Sequence, residues 1–371
     1  MELIATCAFG LEKLVYDEIK KLGLWVIKKD DGRVIFEGDE TALIKANLWL
    51  RCADRILIKI GEFKAVTFDE LFDAVNALEW EKYIGVTDSF PVKATSVKSA
   101  LHSEPAVQSI VKKAVVKRLQ QKYKTEVLPE DSNSIYQIIV KSNKDEFTVS
   151  IDTSGESLHK RGYREKGDIA PIKETLAAAM VKLSDWTPER TLVDPFCGTG
   201  TIAIEAAMLA HNVAPGINRN FAFDNWNWID KKKITDAVDD ANQSIKQIEK
   251  LPIYCFDIDP IALKIAQHNA ASAGFSNMHF KRSDFNDLDF GKFENCTFIT
   301  NPPYGERLED VQKVNEMYKN LGKKFKDAKN CSLFLITSNE DFPRLFGRKE
   351  DKNRKLFNGN IKCYLYSYLN K

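Results

Sequence analysis

The sequence predicts an α/β protein in which a doubly wound, mostly parallel sheet follows two smaller α+β units. Three observations lead to this fold class. Beyond residue 171, apolar segments of strand length alternate with segments of helical periodicity, which is the pattern of a parallel sheet with helices on both faces. Before that region, residues 1–62 follow the order strand, helix, strand, strand, helix, strand. The chain of 371 residues is also too long for one ordinary hydrophobic core, so we expect several domains.

The first unit, residues 1–62, has the element order of a ferredoxin-like sandwich. The apolar stretch MELIATCAF is a strand candidate, and Gly10 opens the amphipathic segment LEKLVYDEIKKLGL. The pair Asp31-Gly32 separates two apolar runs and is a hairpin signal. A helix and a closing strand complete the unit, over TALIKANLWLRCA and RILIKIGEF.

The second unit, residues 63–156, combines helices with strands. Its long helical segment, SEPAVQSIVKKAVVKRLQQKY, begins at Ser103, a candidate N-cap, and has Pro105 in its first turn. The strands IYQIIVKS and EFTVSIDTS are predicted to pair across Asn143-Lys144. Residues 157–170 are rich in charge and glycine, so we interpret them as a linker at the start of the last domain, residues 157–371.

Composition and charge exclude several classes of protein. Hydrophobic residues make up 44% of the chain and charged residues 29%, as in a soluble globular protein, and no apolar run reaches the ~20 residues of a membrane-spanning helix. The amino terminus lacks the features of a secretion signal. Seven cysteines without a C-x-x-C pair indicate reduced thiols in a cytoplasmic protein, and the scattered histidines predict no metal site. With a net charge of +1, any nucleic-acid surface must be a local patch.

The clearest local signal runs from Asp194 to Gly200, DPFCGTG, where an apolar strand enters a glycine-rich turn before a helix. Glycines let the backbone bend sharply and approach a ligand, and the helix amino terminus offers N–H donors. A dinucleotide-binding turn would have a third glycine where Ala203 stands. Asp194, at the strand end, suits a ligand ammonium better than a pyrophosphate. A strand–helix turn with no ligand is the alternative interpretation.

Acidic motifs follow the next two strands. Asp257 lies where an acid accepts both hydroxyls of a ribose in a doubly wound sheet, whereas Asp259-Pro260 is expected to cap the following helix. Asp284, in the sequence Ser-Asp-Phe after the third strand, can accept a hydrogen bond from an adenine amino group. Taken alone, the Ser-Asp-Phe motif also suits an ordinary loop.

The motif Asn301-Pro302-Pro303-Tyr304 indicates the chemistry. The prolines fix the backbone and lack N–H donors, so the Asn301 side-chain oxygen and the Pro302 carbonyl can accept the two hydrogens of a planar –NH₂ group. The nitrogen lone pair is then available to attack a sulfonium methyl, and catalysis consists of positioning and electrostatics. Tyr304 can stack on the target base. A proline-rich turn at a strand end is the alternative interpretation.

These motifs resemble those of a known family. DPFCGTGTIAIEAA and NPPYGERL are similar to the motifs of the amino-methylating class I methyltransferases, which have a Rossmann-like fold and use S-adenosylmethionine. LHKRGYREKGDIAPIKETLAAAMV and PGINRNFAFDNW resemble the subgroup that carries a THUMP domain. Over essentially its whole length, the chain resembles the amino-terminal, guanine-N2-methylating half of the bifunctional 23S ribosomal RNA methyltransferases. It also resembles a tRNA guanine-N2 methyltransferase of similar build.

The resemblance implies a ferredoxin-like domain, a THUMP RNA-binding domain and then the methyltransferase domain. It implies that Asp194, Gly198 and Gly200 hold the methionine end of S-adenosylmethionine, that Asp257 holds its ribose and that Asp284 holds its adenine amino group. The other residues assigned to the cofactor site are Lys173, Glu174, Thr175, Phe196, Cys197, Thr199, Ile258 and Phe285. The residues assigned to the target base are Asn301, Pro302, Pro303 and Tyr304. Many relatives have Ser where Thr199 stands, and either hydroxyl should serve.

A basic helical segment, residues 111–124, is the first candidate RNA surface. Its cations are Lys112, Lys113, Lys117, Arg118, Lys122 and Lys124, and no acid interrupts them. A solvated helix face has the same pattern, and the resemblance to THUMP proteins favours RNA. Lys160 and Arg161, in the linker, are a second basic candidate. Trp226 and Trp228 are more readily explained by core packing than by base stacking.

Together these observations predict methyl transfer from S-adenosylmethionine to N2 of a guanine in structured RNA, with 23S rRNA as the first candidate. Methylation of adenine N6 in RNA or DNA stays open because the Asn-Pro-Pro-Tyr motif suits either amine. Transfer RNA stays open as the substrate, as does a non-enzymatic role in ribosome assembly. The preference for guanine and for ribosomal RNA depends on the resemblance alone.

Overall fold

The computed structural model describes residues 1–130, 134–164, 172–305 and 308–369, apart from the side chains of residues 308–310. Six of the fourteen residues of the predicted linker, residues 165–170, therefore lie outside the described residues. The chain forms two compact units: one of Met1–Cys7, Val15–Leu158 and Arg219–Asp240, the other of Ala8–Leu14, His159–Asn218 and Ala241–Lys371. Among the described residues, no helix is long and apolar enough to cross a membrane. The cysteines are buried and form no disulfide.

The first unit is built on one seven-stranded sheet in the order β2-β3-β1-β4-β7-β6-β5. Strands β5 and β6 pair in parallel, and the other neighbours pair antiparallel. The elements of this part of the chain are β1 (Glu2–Thr6), α1 (Glu12–Lys21), β2 (Trp25–Asp30), β3 (Arg33–Glu37), α2 (Glu40–Trp49), β4 (Arg55–Lys64), α3 (Phe68–Asn76), β5 (Val92–Val97), α4 (Glu104–Tyr123), β6 (Ile138–Asn143) and β7 (Glu146–Asp152).

Strand β4 belongs to both predicted α+β units. Its residues Arg55–Ile58 pair with β1, and its residues Leu57–Lys64 pair with β7 on the opposite edge. The sequence predicts that this strand closes the first unit. The structure shows that it also pairs with β7, a strand of the following unit. The two predicted units therefore share a continuous sheet.

Caps and turns define the ends of several elements. Helix α3 begins with a capping box between Thr67 and Glu70. Ser103 occupies the N-cap position of α4 as expected, but its side chain makes no capping hydrogen bond. The β6–β7 turn is centred one residue later than predicted. Its two central residues are Lys144 and Asp145, and both adopt the left-handed conformation.

The segment after residue 218 contributes aromatic side chains to the core of the first unit. Trp226 is fully buried and stacks on Tyr136, with ring centroids 4.5 Å apart, and its Nε1 donates to the Ile135 carbonyl at 3.0 Å. Trp228 packs edge-on against Tyr83. Both rings are therefore packing residues, as expected from the sequence.

The second unit contains a seven-stranded sheet in the order β10-β9-β8-β11-β12-β14-β13. The first five strands are parallel, and β14 is antiparallel to both of its neighbours, so the predicted doubly wound, mostly parallel fold is confirmed. The elements are α5 (Glu174–Leu183), β8 (Thr191–Asp194), α6 (Thr201–Ala210), α7 (Lys231–Gln243, beginning in the first unit), β9 (Ile253–Asp257), α8 (Pro260–Ser272), β10 (His279–Arg282), β11 (Cys296–Thr300), α9 (Leu308–Phe325), β12 (Ser332–Thr337), α10 (Phe342–Phe346), β13 (Lys352–Asn358) and β14 (Ile361–Tyr368).

Strand β13 is the element that the sequence pattern does not reveal. It reads KNRKLFN, with three cations among seven residues, and it forms an edge of the sheet. Edge strands often carry charge because charge discourages pairing with another chain. The hydrophobic core lies inside, where Val193, Phe298 and Leu335 from neighbouring strands join side chains of α9 and α10.

Candidate active site

A cavity of about 950 Å³ opens at the carboxyl ends of β8, β9, β10 and β11, within the second unit. These strands are parallel, so the loops that follow them meet at one edge of the sheet. The lining residues form two groups. We call the first group the glycine-turn side, and it consists of Ile172, Lys173, Pro195, Phe196, Gly198, Asp257, Ile258 and residues 283–286. We call the second group the asparagine side, and it consists of residues 301–305, Lys313, Val314, Met317, Asn358, Gly359 and Ile361.

Two glycines shape the turn between β8 and α6. Gly198 has a φ of +52°, and a Cβ at this position would have no protein atom within 4 Å. Gly200 has a φ of +81°, and its Cβ would lie 3.1 Å from the Cβ of Ala266 on α8. Glycine is favoured at both positions by the backbone conformation. At Gly200, the close packing of α6 on α8 is a second reason.

Asp194 ends β8 and is almost completely buried. Its Oδ1 accepts a hydrogen bond from the Thr300 hydroxyl at 2.6 Å and another from the Phe196 amide at 3.1 Å. Its Oδ2 has no hydrogen-bond partner among the residues that the structure describes. Burial raises the pKa of Asp194 to about 7. The unpartnered oxygen offers an acceptor to a ligand ammonium, which would also compensate the buried charge.

Asp257 ends β9 and fixes the glycine turn. Its Oδ2 accepts from the Gly198 amide at 2.8 Å, and its Oδ1 accepts from the Asp259 amide at 2.9 Å. Each carboxylate oxygen has further acceptor capacity for a ligand hydroxyl. Asp259 caps α8 as the sequence predicts, because its Oδ1 accepts from the Ile261 amide at 2.8 Å.

The third loop adds apolar surface to the cavity. Asp284 accepts from both the amide and the side chain of Asn286, at 2.8 and 3.0 Å, which holds the loop in place. Phe285 packs against Phe196, with ring centroids 5.1 Å apart. Ile258 is 59% exposed, and its side chain forms part of the cavity lining. These apolar side chains offer a surface on which a flat ring can lie.

Several residues assigned to the cofactor site do not line the cavity. Lys173 lines it, at the N-cap of α5, whereas Glu174 and Thr175 are buried. The Glu174 carboxylate pairs with Arg164 at 3.2 Å, and burial raises its pKa. Cys197 and Thr199 are also buried and do not line the cavity. These side chains support the turn and helix that form the site. Asp194 and Gly200 likewise lie behind the lining residues rather than among them. In the described part of the chain, no group of His, Cys, Asp or Glu side chains is arranged to hold a metal ion.

The loop after β11 places Asn301 on the cavity surface. The Asn301 Oδ1 accepts a hydrogen bond from the Tyr304 hydroxyl at 2.6 Å. The Tyr318 hydroxyl contacts the Pro303 carbonyl at 3.0 Å and so supports the loop from α9. Burial raises the pKa of Tyr304 well above its ordinary value, so its hydroxyl remains a donor. The sequence analysis expects Tyr304 to stack on a base, and the structure gives its hydroxyl an additional role in orienting Asn301.

The structure adds residues to the asparagine side that the sequence analysis did not identify. Asn358 and Ile361 come from the β13–β14 hairpin, and the Asn358 Nδ2 lies 3.5 Å from the Tyr304 hydroxyl oxygen. Lys313 and Met317 come from successive turns of α9. The polar turn Asn358-Gly-Asn is a hairpin signal, but nothing in the sequence relates it to a loop more than fifty residues earlier.

The cations of the first candidate RNA surface differ in their surroundings. Arg118 makes two hydrogen bonds to Glu81 and holds the pKa of that carboxyl at about 2, and Lys122 lies 3.4 Å from the same carboxylate. Lys112 pairs with Glu130 at 2.6 Å. The exposed lysines of the segment are Lys113, Lys117, Lys122 and Lys124, and of these Lys122 is the one already described beside Glu81.

The two cations of the predicted linker also differ in their exposure. Lys160 is exposed, whereas the Arg161 side chain is only 1% exposed and pairs with the buried Glu205 of α6 at 3.1 Å. A guanidinium enclosed in this way is not available to a phosphate. We therefore remove Arg161 from the candidate RNA surface and assign it to the packing of the second unit.

Three sequence profiles match the chain: the RlmL ferredoxin-like domain over residues 2–57, the THUMP domain over residues 65–152 and the RMKL-like methyltransferase domain UPF0020 over residues 161–367. The last match covers more than half of the chain. The chain belongs to the UPF0020 family of RMKL-like methyltransferases. This result confirms the resemblance and the fold class inferred from the sequence.

Named relatives support the family assignment. The Bacillus subtilis protein "Putative RNA methyltransferase YpsC" is 45% identical over 375 residues, which cover 100% of this chain and 96% of that protein. The "Ribosomal RNA large subunit methyltransferase K/L" of Syntrophotalea carbinolica is 32% identical over 381 residues, which cover 99% of this chain and 53% of that protein. This chain thus spans about half the length of the second relative.

A solved structure connects the fold to its cofactor. The crystal structure of SMU.472, described as "a putative methyltransferase complexed with SAH", matches with a TM-score of 0.94 and 45% identity, covering 100% of this chain and 98% of that chain. S-adenosylhomocysteine is what S-adenosylmethionine becomes after methyl transfer. S-adenosylmethionine is therefore the cofactor of this methyltransferase, as the sequence motifs indicate.

Proposed function

We propose that this enzyme methylates the exocyclic N2 of a guanine in structured ribosomal RNA, with 23S rRNA as its substrate. The observation that carries the proposal is the position of Asn301 and Pro302, which line the same cavity as the glycine turn. An RNA substrate is supported by the THUMP domain and by the names of the two relatives. A cytoplasmic location, where such RNA is found, belongs to the same proposal.

Asn301 is the central residue of the proposed chemistry. Its side-chain oxygen has two lone pairs, and the Tyr304 hydroxyl uses one of them. The second lone pair is available to an N–H of the target amine, and the Pro302 carbonyl accepts the other N–H. Both contacts orient the amine and draw its nitrogen toward tetrahedral geometry. Catalysis then depends on orientation and electrostatics, without a strong base.

The glycine-turn side fits the cofactor. We assign the unpartnered Oδ2 of Asp194 to the ammonium of its methionine end and Asp257 to its ribose hydroxyls. Ile258 and Phe285 are assigned to the adenine ring and Asp284 to the adenine amino group. When bound, the cofactor supplies an electrophilic sulfonium methyl group. Gly198 keeps the backbone side of this space open.

The identity of the base is tested by the modified nucleosides of cells that lack the gene. We expect that mass spectrometry of purified 23S rRNA will show the loss of one N2-methylguanosine, and that the full-length enzyme will restore it in vitro. The loss of N6-methyladenosine would contradict the choice of guanine. The loss of N2-methylguanosine from transfer RNA alone would contradict the choice of substrate.

The RNA surface is tested by reversing charge at the exposed lysines of α4. The double variant Lys113→Glu/Lys117→Glu should bind rRNA about tenfold more weakly, with a flatter dependence of affinity on salt, because each lost phosphate contact lowers the salt slope by about 0.9. Lys319→Glu/Lys323→Glu is a matched control, since these exposed lysines have the same spacing on α9. Equal effects of the two double variants would exclude a specific role for α4.

A further inference from the structure

Two phenylalanine rings lie outside the cavity, one on and one beside the β13–β14 hairpin that contributes Asn358 and Ile361 to the asparagine side. Phe9 and Phe357 both belong to the second unit, and Phe357 directly precedes Asn358. Their ring centroids are 5.9 Å apart, with the planes at 86°. The Phe9 side chain is 45% exposed. In an edge-to-face pair one ring presents only its edge to the other, so ring faces remain available for a further contact.

Positive charge surrounds these rings. The Lys355 Nζ lies 6.0 Å from the Phe9 ring centroid and 5.6 Å from the Phe357 centroid. Lys352 and Arg354 add two more cations on the same edge strand. In the described part of the chain, none of these three cations forms an ion pair. The acids just before the strand have other contacts: Asp351 pairs with Arg348, and Glu350 accepts from Asn353. The strand is therefore a net positive edge with aromatic rings beside it.

The position of Phe9 is held by its neighbour. Gly10 has a φ of +92°, and a Cβ there would lie 2.7 Å from the Lys355 carbonyl oxygen. Any residue with a side chain at position 10 would collide with β13, so glycine is what allows this loop to approach the strand so closely. The Gly10 amide is also bound, to the Glu12 carboxylate at 2.9 Å. These contacts fix the Phe9 backbone against the strand that carries Phe357 and Lys355.

The reaction creates a need for such a surface. A guanine in a duplex cannot bring its N2 to Asn301 unless the base leaves the stack, as other base-modifying enzymes require. The adjacent nucleotide then loses a stacking partner. Aromatic rings of the protein can replace that partner regardless of base identity, and an ammonium can contact the phosphate.

We propose that Phe9, Phe357 and Lys355 form a subsite for one unpaired RNA nucleotide adjacent to the target base. One of the two rings stacks on the base of this nucleotide, the other contacts the edge of the base, and Lys355 binds its phosphate. The subsite rests on the proposed function, because it requires an RNA substrate. It does not depend on whether the target base is guanine or adenine.

The first test measures kcat/KM with 23S rRNA from a strain that lacks the gene. Phe9→Ala and Phe357→Ala should each lower kcat/KM, and the larger of the two effects should be about five- to a hundredfold, the range for the loss of one base–aromatic stack, with the cofactor Kd unchanged. Phe357→Tyr retains the ring and should stay within about twofold of the unaltered enzyme. His279→Ala is the matched control, because this exposed ring pairs with Tyr254 at the opposite edge of the same sheet.

The second test uses a fluorescein-labelled single strand of twelve uridines. Phe357→Ala should weaken its binding without changing the salt slope, whereas Lys355→Ala should lower the slope by about one. If Phe9→Ala does not fold, Phe9→Leu removes the flat ring while retaining apolar volume. The proposal is overturned if the Ala variants keep kcat/KM within twofold, or if Phe357→Tyr is as defective as Phe357→Ala. The nucleoside measurement above identifies the methylated base independently, so failure of the guanine assignment is distinguishable from failure of the subsite.

Discussion

The two sides of the active-site cavity are held by different kinds of hydrogen bond. On the glycine-turn side, carboxylates bind backbone amides: Asp257 accepts from Gly198, and Asp194, buried behind this side, accepts from Phe196. Backbone donors are fixed by the turn in which they lie. We infer that this side is organised for the cofactor before any ligand binds.

On the asparagine side, side chains bind other side chains. The Tyr304 hydroxyl donates to Asn301, and Asn358 contacts the same hydroxyl. Rotation about side-chain bonds can break these contacts without moving the backbone. This side can therefore adjust when a base enters, and changes to it should affect turnover more than cofactor binding.

The largest effect on turnover is expected from Asn301→Ala. Removal of the amine acceptor should lower kcat by about 10²–10³-fold, as for loss of a comparable transition-state contact, while the cofactor Kd stays within about twofold. Single-turnover kinetics and calorimetric titration measure the two quantities. Asn360→Ala, at the exposed tip of the neighbouring hairpin, is the control. Substantial activity of Asn301→Ala would exclude the acceptor role.

Asp194→Asn should instead affect the cofactor Kd. It removes the charge assigned to the cofactor ammonium, so the cofactor Kd should rise by about tenfold or more, the size of a charge-assisted hydrogen bond. In the unaltered protein, cofactor affinity should increase as the pH rises through about 7, because Asp194 then loses its proton. An affinity that does not change between pH 6 and pH 8 would argue against the assignment.

Asp194 also predicts a pH dependence of stability in the cofactor-free protein. Its pKa is raised from 3.8 to about 7 on folding, so between these values the folded chain retains a proton that the unfolded chain has released. Stability should therefore fall by about 3 kcal/mol as the pH rises from about 4 to about 7, and little further above it. Urea unfolding of the unaltered protein and of Asp194→Asn measures this difference, which the variant should lack.

A smaller effect is expected from Tyr304→Phe. The variant keeps the ring but loses the hydrogen bond to Asn301, so kcat should fall by about five- to tenfold, as for a contact of about 1 kcal/mol. The cofactor Kd should not change. A variant with full turnover would show that Asn301 is oriented by the backbone. The proposed difference between the two sides of the cavity would then be wrong.

The smallest effect is expected from Asn358→Ala, because its contact with Tyr304 is long, at 3.5 Å. Turnover should fall by about two- to threefold. In a Tyr304→Phe background the same change should have no further effect, because both variants interrupt one chain of hydrogen bonds. Additive effects in this double-mutant cycle would place Asn358 in a separate role.

The sequence analysis identified the residues whose chemistry is local. The turn around Gly198 and the loop around Asn301 can be read from short motifs, and both line the cavity. Glu174 and Thr175 were also assigned to the cofactor site, but their side chains are buried and do not line the cavity. Asn358 could not be identified from the sequence, because the sequence of a hairpin turn does not show which loop the turn faces.

The basic residues are a second example of what cannot be identified from the sequence. In the sequence, Lys113 and Arg161 are equivalent members of basic segments. In the structure, Lys113 is exposed, whereas Arg161 is enclosed with Glu205, a residue of the same unit more than forty positions away. A cation can be assigned to a ligand only when its acidic neighbours are known, and these come from distant parts of the chain.

The sequence by itself determined the doubly wound sheet and the class of S-adenosylmethionine-dependent methyltransferase, because periodicity and motif spacing act over a few residues. The tertiary structure alone decided that β4 pairs with strands of two α+β units and that the β13–β14 hairpin lines the candidate active-site cavity. It also decided which cations remain at the surface. These features depend on contacts between residues far apart in the chain, and packing of the whole fold selects those contacts.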